Sequence, residues 1–351
     1  MRTIFRLPHR LLAVLFAATG ALASAQSQNE PALPATSELQ TVVVHGEQPG
    51  PGMWKISKGD HTLWILGTLS PLPKDMTWRA KDVEDVIASS QAVLNPPRID
   101  VKADVGFFGK LRLLPSLIAV RDNPNHATLQ QVLPPDLYAR WMTLKDKYFG
   151  AGRGRNIETW RPIFAALELY NEAIKKSGLT RSDVASDVVR AASKRANIEP
   201  TSATVKMKVE DPHAAVKEFK SGSMDDLDCF RKTLEHIESD LGTMTARANA
   251  WATGDIDTLR KMPYTDLRES CLAAVADTEL AHELGFSNID SRVQQAWLDA
   301  ASAALDKNAE TFARLPMSEL LRPDGYLAKL QARGYSIEAP DATPEDDATA
   351  H

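Results

Sequence analysis

The chain has 351 residues, a formal net charge of −5 at pH 7 and two cysteines. That acidic balance argues against a nucleic-acid partner, because holding a phosphate backbone takes a surplus of Lys and Arg. After residue 23 no stretch approaches the run of about 18 apolar residues that a bilayer-crossing helix needs, so no span is expected beyond the N-terminus.

Taken in chain order, Arg2, Arg6, His9 and Arg10 precede an apolar run from Leu11 to Ala23, and small residues at Ala21, Ala23 and Ala25 satisfy the pattern of a signal peptidase site. Residues 1–25 therefore read as a signal peptide whose removal takes away three arginines and no acid. The mature protein is expected in the periplasm or secreted, where disulfides are permitted. Residues 26–51, rich in Gln, Ser, Pro and Gly, have no apolar pattern long enough to bury a face and read as a linker.

Met53–Ser57 and Thr62–Leu69 are β-type runs around the polar turn 58–61, a hairpin pattern. Helical spacing over 79–90 and a brief apolar strand at 91–94, closed by Asn95-Pro96-Pro97, complete a β-β-α-β opening. From about 105 to 308 the pattern is helical, with Thr180 read as a cap and with one exception at Ser202–Val209, where Val205, Met207 and Val209 alternate with polar residues. Strands at 310–315 and 335–338 around a helix at 324–333 return to the opening sheet. Both chain ends are thus expected to build one central mixed sheet around a large helical insertion, an α/β (α+β) domain over residues 52–339. Residues 340–351 are acidic, carry no large apolar side chain and read as a disordered tail. Cys229 and Cys271 fall in helical segments and either pair or stay as buried thiols, since spacing does not fix a Cα separation.

The stretches Gly52-Met53-Trp54-Lys55-Ile56 and Leu63-Trp64-Ile65-Leu66-Gly67-Thr68-Leu69-Ser70-Pro71 resemble the opening of the TraB/GumN family. So do Trp251–Leu259, Arg292 with Trp297, and the closing Asp324-Gly325-Tyr326-Leu327 followed by Gly334-Tyr335. The resemblance implies a fold similar to the erythromycin-esterase-like and ChaN-like group, with helical lobes around a cleft. Some members, the Tiki proteins, are metal-dependent peptidases whose two Gly-x-x-His histidines and a strand-end glutamate serve the metal. Such ligands hold a divalent ion with an open position, and the ion lowers the pKa of its bound water.

This chain departs from that pattern at each place. After the motif glycine Gly67, Ser70 stands where the first histidine belongs. Asn95 replaces the strand-end acid, and Glu319 falls on the second histidine, with Pro316 on its glycine. A set of Ser, Asn and Glu offers only oxygens, suited at most to Mg²⁺ or Ca²⁺. No cofactor is expected, and the resemblance implies a noncatalytic relative that binds or scaffolds an unidentified protein, peptide or envelope component, with an association to exopolysaccharide processes. The rivals are a metal-dependent hydrolase or peptidase rebuilt around Glu319, which would need a divalent metal, and a chaperone-like envelope-stress protein with an apolar groove.

Other motifs carry less. His61 reads as a turn histidine, and the remaining histidines form no i, i+4 pair. Gly150–Arg155 lacks the Gly-Lys-Ser/Thr ending of a phosphate loop and reads as a basic turn, while Ser70, Ser90 and Ser318 lie in no nucleophile elbow. Trp160, Trp251 and Trp297 read as core packing.

Overall fold

The computed structural model describes residues 49–103, 115–116, 119–150, 154–182, 184–222, 224–239, 241–262, 267–276, 278–286 and 288–340. The expected signal peptide, the expected linker up to residue 48, positions 151–153 of the glycine-arginine stretch and the expected tail from 341 lie outside the described residues.

The hairpin forms as its alternation predicts. Strand β1 (Met53–Lys58) turns through Gly59, at φ +63, into β2 (His61–Thr68). A left-handed φ is costly for a residue with a Cβ, which is why glycine holds this turn. The two-residue β3 (Leu72–Pro73) follows, then α1 (Lys81–Ser89), which buries Val83 and Ile87. Strand β4 (Ala92–Ala103) corrects the sequence reading, because it does not close at Asn95-Pro96-Pro97. Its register against β6 (Thr201–Val209) steps from Asn95↔Ser202 to Arg98↔Thr204, three residues against two. The prolines, which have no N–H to give, sit in that bulge, and the ladder resumes beyond it.

The helical middle comprises α2 (Leu129–Val132), α3 (Pro135–Phe149), α4 (Pro162–Lys176), α5 (Val184–Arg195) and α6 (Pro212–Ser221). It continues with α7 (Leu227–Ser239), α8 (Leu241–Thr253), α9 (Ile256–Lys261), α10 (Leu267–Ala276), α11 (Glu279–Glu283) and the long α12 (Ile289–Lys307). A second correction falls here: Thr180 is no helix cap but part of the short β5 (Leu179–Thr180), which pairs with β3, and its hydroxyl accepts from the Ser182 N–H at 3.1 Å. Strand β7 (Glu310–Pro316), α13 (Met317–Leu321), α14 (Tyr326–Ala332) and β8 (Ser336–Glu338) close the chain as expected.

The main sheet runs β6-β4-β7-β2-β1-β8. Residues far apart in sequence meet at its centre, where β2 and β7 pair in parallel from Thr62↔Glu310 to Thr68↔Pro316. At one edge β8 pairs with β1. Burial explains the composition of the central strands: Leu63, Ile65 and Leu66 of β2 and Phe312, Ala313 and Leu315 of β7 are all fully buried. Right-handed crossovers fix the faces. The steps β2 to β4 and β4 to β6 run one way along the sheet and the step β6 to β7 runs back, so α1 and α5 cover one face and α12 the other. Val205 and Met207 accordingly pack on Ile289 and Val293 of α12.

A second core lies within the helical region, where Trp141 of α3, Leu169 of α4 and Phe230 of α7 are buried together. Beside it Cys229 of α7 and Cys271 of α10 are joined in a disulfide, with Cα atoms 4.7 Å apart. Among the described residues no helix is long and apolar enough to cross a membrane.

Candidate functional site

Four parallel strands, β6, β4, β7 and β2, end at one edge of the sheet. The connection from β4 to β6 carries α5 on one face, whereas β7 runs directly into α13, and the α14 that follows packs on α12 at the other. Neighbouring strands whose connections diverge to opposite faces leave a crevice at their carboxyl ends, the usual ligand position in open α/β sheets. A cleft of ≈ 400 Å³ lies between the β4 bulge and the end of β7, lined by Pro96 and Pro97 of that bulge, Pro316 at the end of β7, Glu319 just past it, and Asp290, Gln294, Arg322, Asp324, Tyr326 and Lys329.

The cleft carries both signs of charge in fixed places. Arg322 forks onto Asp324, with Nε to Oδ1 and Nη2 to Oδ2 each at 3.3 Å. Those hydrogen bonds hold the Asp324 carboxyl below its ordinary value, so it stays ionised. Lys329 donates to the amide oxygen of Gln294. Tyr326 packs edge-on against Trp297, ring centroids 5.1 Å apart, and so fixes the start of α14.

Two glycines are required by close approach. A Cβ on Gly67 would lie 2.5 Å from the Met317 methyl and 3.0 Å from the Trp54 ring. The Gly67 carbonyl accepts from the Trp251 indole N–H at 2.8 Å, which ties the motif glycine to α8. A Cβ on Gly325 would lie 2.3 Å from the Glu319 carbonyl oxygen. The Asp324-Gly325 pair thus lets α13 and α14 meet at a tight corner beside the cleft.

Of the three positions singled out in the sequence, only Glu319 lines this cleft. Ser70, just past β2, is exposed and donates to the Arg181 carbonyl at 3.3 Å. Asn95 uses its amide oxygen to accept from Nε of Arg314 at 2.9 Å, and its backbone carbonyl accepts from the Trp297 indole at 3.1 Å. The Arg314 guanidinium also donates to the Ser186 hydroxyl on α5, so this polar cluster lies on the α5 side of the sheet, away from Glu319. The sequence reading missed Arg314. Its signal was a cation inside a strand whose neighbours Thr311, Phe312, Ala313 and Leu315 are all buried, a place where an unpaired charge is costly.

The donor set does not fit a metal ion of the kind the resemblance implies. The amide oxygen of Asn95 accepts from a guanidinium, which brings a positive charge to that position and so disfavours a metal ion there. Among the described residues no group of three His, Cys, Asp or Glu side chains could hold a metal ion. His61 is placed elsewhere, its Nδ1 meeting the Leu305 carbonyl at the far end of the hairpin.

In comparison with known proteins, the sequence pattern of the TraB/PrgY/gumN family matches residues 52–339. No curated protein and no solved structure matches the chain.

Proposed function

Because the chain belongs to the TraB/PrgY/gumN family, we propose that it is an exported, noncatalytic member that binds a ligand or partner segment in the cleft between the β4 bulge and the end of β7. The observation that carries this reading is the Arg314 guanidinium seated between Asn95 and Ser186, at the β4 position where the resemblance would place a metal ligand. A fixed cation there occupies the Asn95 amide oxygen and repels a metal ion from that position. Ser70 and Glu319 are directed to different partners and spaces, so the three oxygens do not act as one site. The charge pattern of the cleft suits a ligand that carries both a positive and a negative group, such as a peptide segment of a periplasmic or envelope component.

The competing reading is a hydrolase rebuilt around Glu319 and its neighbours Asp290 and Asp324, which would need a divalent ion. Thermal unfolding with millimolar Mn²⁺, Co²⁺, Zn²⁺ or Ca²⁺ separates the two, because an ion that binds only the folded state must raise the melting temperature. Unchanged melting is the expected result. A rise that disappears in Glu319→Gln would replace the binding protein with the hydrolase. Export is tested separately, by the N-terminal sequence and the cell fraction of the mature protein. An intact leader on a cytoplasmic protein would remove that part of the proposal.

A further inference from the structure

Helix α6 carries His213, Lys217 and Lys220 at i, i+4 and i+7, which at about 100° per residue places them within roughly 60° of one another. The acids of the same stretch are engaged or turned aside. Asp211 caps the helix, accepting from the N–H groups of His213 and Ala214 at 3.0 Å, and Glu218 falls about 100° around the helix from Lys217. The stripe, with its two lysine ammonium groups, forms one wall of a second cleft, of ≈ 420 Å³, which Asn125, Ser116 and Ser221 also line. This cleft shares no residue with the one between the β4 bulge and the end of β7, and no carboxylate is among its described lining residues. Among the described residues neither Lys217 nor Lys220 has an ion-pair partner.

A further positive charge is fixed under the C-terminal end of the stripe. Arg161 is only 3% exposed, and its Nη2 donates to the carbonyls of Phe219, Lys220 and Gly222 at 2.8, 3.1 and 3.0 Å. These carbonyls would otherwise present the negative pole of the helix to the cleft beside Lys220 and Ser221. The buried guanidinium cancels that pole. An acidic chain thus maintains a local basic bay, with hydroxyl and amide groups beside it that can donate hydrogen bonds.

From this arrangement we infer that the second cleft binds an extended oxyanion bearing two or more phosphate-type groups. The stripe from His213 to Lys220 covers seven residues, about 10 Å along the axis, longer than one phosphate and matched by a short chain of them. Each lysine ammonium would meet one oxyanion group, a charge-assisted contact with no competing carboxylate in the lining.

Calorimetric titration of the full chain at low salt tests this, with tripolyphosphate as the extended probe and inorganic phosphate as the single-group control. Tripolyphosphate is expected to bind at least about tenfold more tightly than phosphate, and the double variant Lys217→Gln/Lys220→Gln to lose about ten- to a hundredfold. Lys217→Arg/Lys220→Arg should keep affinity within a few fold, because charge and reach are retained. A control pair on other elements, Lys194→Gln/Lys307→Gln, should change nothing. No heat with tripolyphosphate, or an equal loss in the control pair, would overturn the assignment. So would tighter binding of a single-stranded oligonucleotide or of anionic vesicles than of tripolyphosphate, which would make the bay a macromolecular or membrane contact.

Discussion

Replacing Gly325 by alanine should be among the most damaging single-methyl additions to the domain. The backbone there, φ −76 and ψ −162, is open to any residue, so the penalty comes from space. The added carbon would lie 2.3 Å from the Glu319 carbonyl oxygen and 3.1 Å from both Cβ and the carbonyl oxygen of Arg322. Reaching even a 3.0 Å contact requires a shift of at least 0.7 Å, and the obstacle is main chain rather than the tip of a flexible side chain. Overpacking of this kind costs about 1–3 kcal/mol, and the rigid obstacle puts this case near the top of that range. Gly325 also caps α14, where alanine is poorer than glycine, adding a few tenths of a kcal/mol or more. The sum is about 3 kcal/mol, a fall of roughly 5 °C in melting temperature for a domain of this length. Gly334→Ala is the internal control. Its φ of +85 is strained for alanine, but a Cβ there meets nothing within 4 Å, so its cost is about 1–2 kcal/mol. Denaturant unfolding of both variants decides the matter. If Gly325→Ala is no more harmful than Gly334→Ala, the tight α13–α14 corner is not the reason for this glycine.

Reducing the Cys229–Cys271 bond, or replacing both residues with serine, should lower stability by about 4 kcal/mol, the loop-closure value for a separation of 42 residues; melting with and without reductant measures it. Arg161→Met strips the donors from three carbonyls and leaves Asp226 without its neighbouring cation, so a loss of about 3 kcal/mol or more is expected in denaturant unfolding. Asp226 predicts a pH dependence. Burial raises its carboxyl above the ordinary value, against the opposing Ile163 N–H and Arg161 charge, so the native state holds this proton more tightly than the unfolded chain. Its contribution is full below the unfolded value of 3.8 and is lost as pH rises through the higher native value. Unfolding free energies measured from pH 4 to 7 should therefore decline more steeply in the wild type than in Asp226→Asn, and equal slopes would contradict the burial argument.

The hairpin, β6 and the closing β7–α14–β8 unit were legible because alternation and helical periodicity are local signals, and because the chain-end strands carry enough apolar residues to demand a shared sheet. β4 was read too short because Pro96 and Pro97 normally end a strand; only the partner register shows a bulge that tolerates them. β3 and β5 have two residues each, too few for any period to register. For the candidate site, sequence placed Ser70, Asn95 and Glu319 at strand ends, but not the directions in which their side chains leave the sheet. That information resides in Arg181, Arg314 and Ser186, each distant in sequence from the residue it engages.

The pairing of β2 with β7 has a consequence for how this molecule comes into being. Everything between Thr68 and Glu310 is, from the standpoint of the sheet, one long loop whose ends must find each other. β2 can pair early with β1, yet its other flank stays open until the C-terminal strands have been made, so a ribosome-bound chain cannot complete its core ahead of schedule. The architecture keeps the polypeptide threadable for as long as its last strands are missing, and locks it once they arrive.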